Sequence, residues 1–96
     1  MSTKKDKLKY NYIYLVYDIK EERVNKVFKV CKKYLEHYQN SVFRGEISES
    51  NILKLKNEIN KIINKEEDSI LILFFLTKNA VKLEEIGTKT QNNKFL

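Results

Sequence analysis

Residues 12–17, Tyr-Ile-Tyr-Leu-Val-Tyr, and residues 70–76, Ile-Leu-Ile-Leu-Phe-Phe-Leu, are apolar or aromatic at every position. Runs of this length and composition, bounded by polar residues, read as β-strands. Side chains alternate across a strand, so each run is apolar on both faces. Tyr12, Tyr14 and Val16 oppose Ile13, Leu15 and Tyr17, and Ile70, Ile72, Phe74 and Leu76 oppose Leu71, Leu73 and Phe75. A sheet built on these strands needs two covers.

The remainder supplies one. Val24, Val27, Phe28, Cys31, Tyr34, Leu35 and Tyr38 recur at steps of three and four, the stripe of an amphipathic helix beginning at Glu21. Ile52, Leu55, Ile59, Ile62 and Ile63 form a second stripe to about Asn64, with Ser48 as N-cap and Glu49 in the first turn, where a negative charge suits the helix dipole. Between them, residues 39–43 read as a strand and Gly45 permits a bulge or turn. Val81, Leu83 and Ile86 suggest a further short strand or turn before Gly87. Residues 1–11, rich in Lys and without periodicity, read as a flexible arm before a single domain over residues 12–96. Strand–helix–strand followed by helix–strand predicts a two-layer α/β (α+β) sandwich. The economical topology is the ferredoxin-like βαββαβ fold, with both helices on one face.

The other sheet face is left bare. Several hundred Å2 of apolar surface at ~25 cal/mol per Å2 is worth roughly 10 kcal/mol before association costs. The expectation is a homodimer whose sheets face each other about a two-fold axis. The alternative is a tail that folds back over its own sheet.

The net charge of +6 hints at a polyanionic partner. The hint is tempered by composition, because 17 of the 19 basic residues are Lys, and Asn and Ile, at ten each, point to an A/T-rich coding bias. The positive charge lies in the first third of the chain and in the tail, so a basic first helix is a candidate phosphate-contacting surface. Single Cys and His residues exclude a disulfide framework and a multi-His metal site within one chain. The longest apolar run is far short of the roughly 20 residues that span a bilayer, and no apolar h-region follows the basic start, so a cytoplasmic protein is expected.

One position carries candidate chemistry. Asp18 ends the first strand just before a helix, where α/β folds gather ligands. Two copies of Asp18 converging near a two-fold axis, with substrate phosphate oxygens, could hold Mg2+ or Mn2+ and activate water for phosphodiester attack. The competing reading is a capping box, with Asp18 as cap and Glu21 three residues on. Cys31 reads as core, His37 as a partly exposed helix-end residue, and Glu66, Glu67 and Asp68 as a solvated turn. Ser41 has no nucleophile motif around it. The tyrosines of the first strand could stack bases but read more simply as buried.

Three blocks of residues carry a family resemblance. Tyr-Ile-Tyr-Leu-Val-Tyr-Asp-Ile over residues 12–19 with Glu22-Arg23-Val24, Gln39-Asn40-Ser41-Val42-Phe43 with Gly45-Glu46, and Glu66-Glu67-Asp68-Ser69-Ile70 with Ile72 resemble, in order and spacing, the CRISPR-associated protein 2 family. The resemblance implies a ferredoxin-like homodimer in which the C-terminal segment, within residues 83–96, adds a strand to the partner's sheet. It implies that Asp18 is the metal-binding acid, one from each subunit. Members of the family are metal-dependent endonucleases on RNA or duplex DNA, or non-catalytic modules that hold duplex DNA within the CRISPR integrase complex. The implied function is CRISPR adaptation, with Mg2+ or Mn2+ as cofactor and the integrase, nucleic acid and a second copy as partners. Arg23, Lys26 and Arg44 are the candidate phosphate contacts, fewer arginines than many relatives carry after the strand-ending Asp. Independent of the resemblance, a toxin-like RNA nuclease or small regulatory binder of ferredoxin shape is a further reading.

Overall fold

The computed structural model describes residues 9–87. Within them the order is β1 (Tyr12–Asp18), α1 (Glu21–Tyr34), β2 (Glu36–Gln39), β3 (Val42–Glu46), α2 (Glu49–Asn60) and β4 (Ser69–Phe75), followed by a 3-10 turn at Lys78–Ala80. The four strands form one antiparallel sheet in the order β2-β3-β1-β4, with both helices packed on one face. This is the ferredoxin-like βαββαβ sandwich expected from the sequence, with β3 inserted between β1 and β2.

The register of β1 divides its side chains as the alternation predicts. Ile13, Leu15 and Tyr17 join Val27, Cys31, Leu35, Phe43, Leu55 and Ile59 in the core beneath the helices. Tyr12, Tyr14, Val16 and Asp18 point to the other face, opposite Glu46, Arg44 and Val42 of β3 and Phe75, Leu73, Leu71 and Ser69 of β4. Phe43 is fully buried and its ring centroid lies 5.1 Å from those of Phe28 and His37 and 6.0 Å from that of Tyr17. Phe43→Ala is expected to destabilise the fold by about 3–5 kcal/mol, read as a lower urea midpoint at unchanged slope.

Local chemistry sets the ends of α2 and tertiary pairing sets the end of α1. The Ser48 hydroxyl accepts the Asn51 N–H at 3.1 Å, the expected N-cap. Helix α2 stops at Asn60, short of Asn64, although Ile62 and Ile63 still pack on the core. Helix α1 stops at Tyr34, whereas the apolar stripe continued to Tyr38. Glu36 and His37 instead pair with Arg44 and Phe43 as strand β2. The segment read as one strand over residues 39–43 is therefore a hairpin, turning at Asn40 and Ser41. Asn40 has φ 40°, a left-handed conformation that asparagine tolerates better than most residues. Gly45 lies within β3 opposite Ile13, and the irregularity it was expected to mark falls instead in β2, between His37 and Gln39.

Glu58 of α2 latches the two helices, accepting hydrogen bonds from Lys33 and from the Tyr34 hydroxyl. Lys33 first, then Tyr34, holds the Glu58 carboxyl below its ordinary range. A carboxyl depressed in the folded state stabilises it fully above the unfolded pKa of about 4 and loses that contribution as pH falls through the folded value. Glu58→Gln should therefore lower the thermal midpoint at pH 7 and converge on wild type in acid.

Residues 9–11 of the segment read as an arm, and residues 81–87 of the segment read as a short strand or turn, lie within the described residues. Asn11 is tied to the sheet, its N–H donating to the Leu76 carbonyl at 3.4 Å and its carbonyl accepting from Ile47 N–H at 3.0 Å. Tyr10 sits edge-on to Phe74. The rest of the arm, residues 1–8, and residues 88–96 of the tail lie outside the described residues. After the 3-10 turn no strand forms up to Gly87; Val81 is half-buried and Ile86 is 97% exposed. Among the described residues no helix is long and apolar enough to cross a membrane.

Candidate functional site at the tip of the first strand

Asp18 closes β1 on the sheet face that the helices do not cover, opposite Ser69 of β4. It is exposed, and its side chain makes no hydrogen bond or ion pair among the described residues. The capping-box reading is corrected: the N-cap of α1 is Lys20, and no side chain of the segment caps the helix. Asp18 lies two positions ahead of that N-cap, still in β1. Its carboxylate is thus a free, hard oxygen donor of the type that suits Mg2+ or Mn2+. No cluster of three His, Cys, Asp or Glu side chains stands ready for a metal among the described residues.

The face around Asp18 is apolar and aromatic. Leu71 and Leu73 are 57% and 44% exposed, with Val16, Val42 and Phe75 half-buried beside them. Tyr12 and Tyr14 are buried, as is Tyr17 on the helix side, so stacking bases is not their role in this arrangement. Arg44 lies over this face: its guanidinium carbon is 3.9 Å from the Tyr38 ring centroid and Nη1 donates to the Tyr14 hydroxyl at 3.0 Å. The Tyr38 hydroxyl is buried and has no hydrogen-bond partner among the described residues.

The three basic residues singled out in the sequence stand in three different settings. Lys26 is exposed on α1 and its side chain makes no hydrogen bond or ion pair among the described residues. Arg44 is engaged with Tyr14 and Tyr38. Arg23 is bound by three carboxylates, with Nε 2.6 Å from Asp68, Nη2 2.8 Å from Glu67 and Nη1 3.5 Å from Glu22. A phosphate contact by Arg23 would compete with all three.

Asp68 is the residue the sequence misplaced. Its neighbours Glu66 and Glu67 are exposed, but Asp68 is buried rather than part of a solvated turn. Arg23 first, with the Asn64 and Lys20 N–H groups, holds its carboxyl well below the ordinary range against the opposing effect of desolvation. His37 lies on β2 rather than at a helix end. Its Nε2 is 2.8 Å from the Asn40 carbonyl, and its ring rests on Phe28 and Phe43. Cys31 is fully buried and its thiol is pushed up to about 12 by burial, which leaves it inert.

Comparison with known proteins adds a family to this geometry. Residues 11–91 match the family model described as CRISPR associated protein Cas2. The chain is 58% identical over 59 residues to a CRISPR-associated endoribonuclease Cas2 of Thermodesulfovibrio yellowstonii, covering 62% of this chain and 67% of the relative. It is 36% identical over 85 residues to the CRISPR-associated endoribonuclease Cas2 of Thermotoga maritima, covering 88% and 98%. A crystal structure of Cas2 superposes with a TM-score of 0.76 at 42% identity, covering 81% of this chain and 87% of that one.

Proposed function

The chain belongs to the CRISPR associated protein Cas2 family, and on that premise we propose that it is a CRISPR adaptation protein, a homodimeric metal-dependent endonuclease that cleaves phosphodiester bonds and works with the CRISPR integrase on DNA. The observation that carries this reading is the placement of Asp18: a free carboxylate at the strand tip, on the one sheet face that the chain's own helices leave uncovered. The names of its relatives as endoribonucleases support the reaction class.

Pairing of two open faces would bury Leu71 and Leu73 and could offer the Tyr38 hydroxyl a partner. An unpaired buried hydroxyl costs about 1–3 kcal/mol. A tail within residues 83–96 that adds to the partner's sheet would belong to the same pairing.

Asp18 from each copy would supply the protein oxygens for Mg2+ or Mn2+. An ion held there would supply a lowered pKa for a bound water and neutralisation of charge on the phosphate. Lys26, with Lys29 three residues on along the exposed side of α1, would hold the backbone phosphates of RNA or duplex DNA as point charges, without base readout. Arg44 would meet phosphate only by leaving Tyr14 and Tyr38, and Arg23 only by leaving its carboxylates.

A second reading, a non-catalytic module that holds a duplex within the integrase complex, is favoured by the lack of a cluster of three metal-ligating side chains among the described residues. One assay separates them: the purified protein with RNA and with duplex DNA, in Mg2+, in Mn2+ and in chelator. Cleavage that requires the divalent ion is expected. Nucleic acid that is bound but left intact in every metal condition would favour the holding module.

A further inference from the structure

Helix α1 begins without a cap of its own. Lys20 occupies the N-cap position and its side chain makes no capping hydrogen bond. The missing carboxylate comes from 48 residues away, where Oδ1 of Asp68 accepts the Lys20 backbone N–H at 2.8 Å. The same oxygen accepts from Arg23 Nη2 at 3.1 Å, and Oδ2 accepts from Arg23 Nε at 2.6 Å and from the Asn64 N–H at 2.9 Å. Four donors fill both oxygens of a side chain with no exposed surface. A bidentate Arg–carboxylate pair of this kind fixes orientation as well as charge.

The location of this pair gives it a consequence. Ser69, the residue after Asp68, is the β4 partner of Asp18. The backbone of Asp18 is therefore held from one side by the strand ladder through Ser69, and from the other by Lys20, two residues on, through Asp68. Arg23 locks the first turn of α1 to the same carboxylate. The Asp18 side chain itself makes no hydrogen bond to this ring among the described residues.

We propose that Asp68 and Arg23 form a positioning pair for Asp18, a buried strut joining the β1–α1 and α2–β4 loops that sets the carboxylate at the strand tip where two copies converge on a phosphodiester. The proposal rests on the reading of Asp18 as the functional acid. It assigns Arg23 an internal role in place of a phosphate contact. Reacting groups misplaced by about 1 Å lose on the order of 100-fold in rate, so a strut that tightens the loop acts on turnover more than on binding.

The test uses Arg23→Gln and Asp68→Asn, which retain hydrogen-bonding groups, beside Asp68→Ala, which removes all of them. Three quantities are read on the intact dimer: amide hydrogen exchange at residues 18–20 corrected for global stability, kcat and KM for cleavage, and the salt dependence of duplex DNA binding. Arg23→Gln is expected to accelerate exchange at Lys20 and to lower kcat by about 100-fold at near-constant KM, with the salt slope unchanged. Asp68→Asn, which keeps an acceptor for Lys20, should fall between wild type and Asp68→Ala. If Asp68→Ala does not fold, the two milder variants carry the comparison. An Arg23→Gln protein that keeps Lys20 protection and kcat while its salt slope falls by about one would make Arg23 a phosphate contact and overturn the proposal. A wild-type protein that cleaves nothing would instead remove the reading of Asp18. The exchange data then judge the strut alone, with faster Lys20 exchange in Arg23→Gln upholding it and unchanged exchange overturning it.

Discussion

Leu71→Asp combined with Leu73→Asp is expected to give a folded monomer without cleavage activity. Both side chains project from the helix-free face of β4 and are among the most exposed large apolar groups of the described residues. In the isolated fold they touch little, and substitutions at such surface positions ordinarily change stability by no more than about 0.5 kcal/mol. Were the two open faces to pair, the same positions would lie within the contact. Four carboxylates per dimer would there be taken out of water without partners, at several kcal/mol each after relaxation. That exceeds what the contact supplies. Sedimentation should show the loss of the dimer, and the urea midpoint of the monomer should identify the cause as association rather than folding. A variant that sediments as the wild-type dimer would show that the faces meet elsewhere.

Asp18→Asn is expected to reduce cleavage by at least about 100-fold while leaving the dimer and its unfolding midpoint unchanged. Removing one hard oxygen ligand weakens the site for a divalent ion, whose contribution to phosphodiester hydrolysis amounts to several kcal/mol. The fold loses nothing comparable, since the Asp18 side chain has no partner among the described residues. A capping aspartate would behave differently: Asp18→Ala would then lower stability by about 1 kcal/mol and leave chemistry alone. Cleavage kinetics and chemical unfolding on one preparation separate the two outcomes.

Much of this architecture was legible in the sequence because it is written in short-range patterns. The alternation of β1 and β4 gave both faces of the sheet, the Ser48 cap and the α2 stripe gave the second helix, and Asp18 was placed at a strand end by the polar break after Tyr17. Most of the features that escaped depend on pairing that the local pattern does not carry. The stripe of α1 runs on to Tyr38 at helical spacing, and only pairing with Arg44 and Phe43 draws Glu36 and His37 into a strand. The hairpin at Asn40 lies inside a segment that reads as continuous strand. Asp68 sits in an acidic triplet that looks solvated, and its burial depends on Arg23, 45 residues distant. The arginines read as a basic surface because sequence does not show which carboxylates or rings their side chains meet. Asp68 followed by an apolar strand, with an arginine one turn into the helix after β1, was the available signal, but nothing local distinguishes it from ordinary surface charge.

The central claim is that two strand tips share one function. Calorimetric titration of Mn2+ into the wild-type dimer tests it most directly: the account predicts a single ion bound for every two chains, and no binding at that site in Asp18→Asn. An ion for each chain, or a titration that Asp18→Asn leaves unaltered, would contradict it.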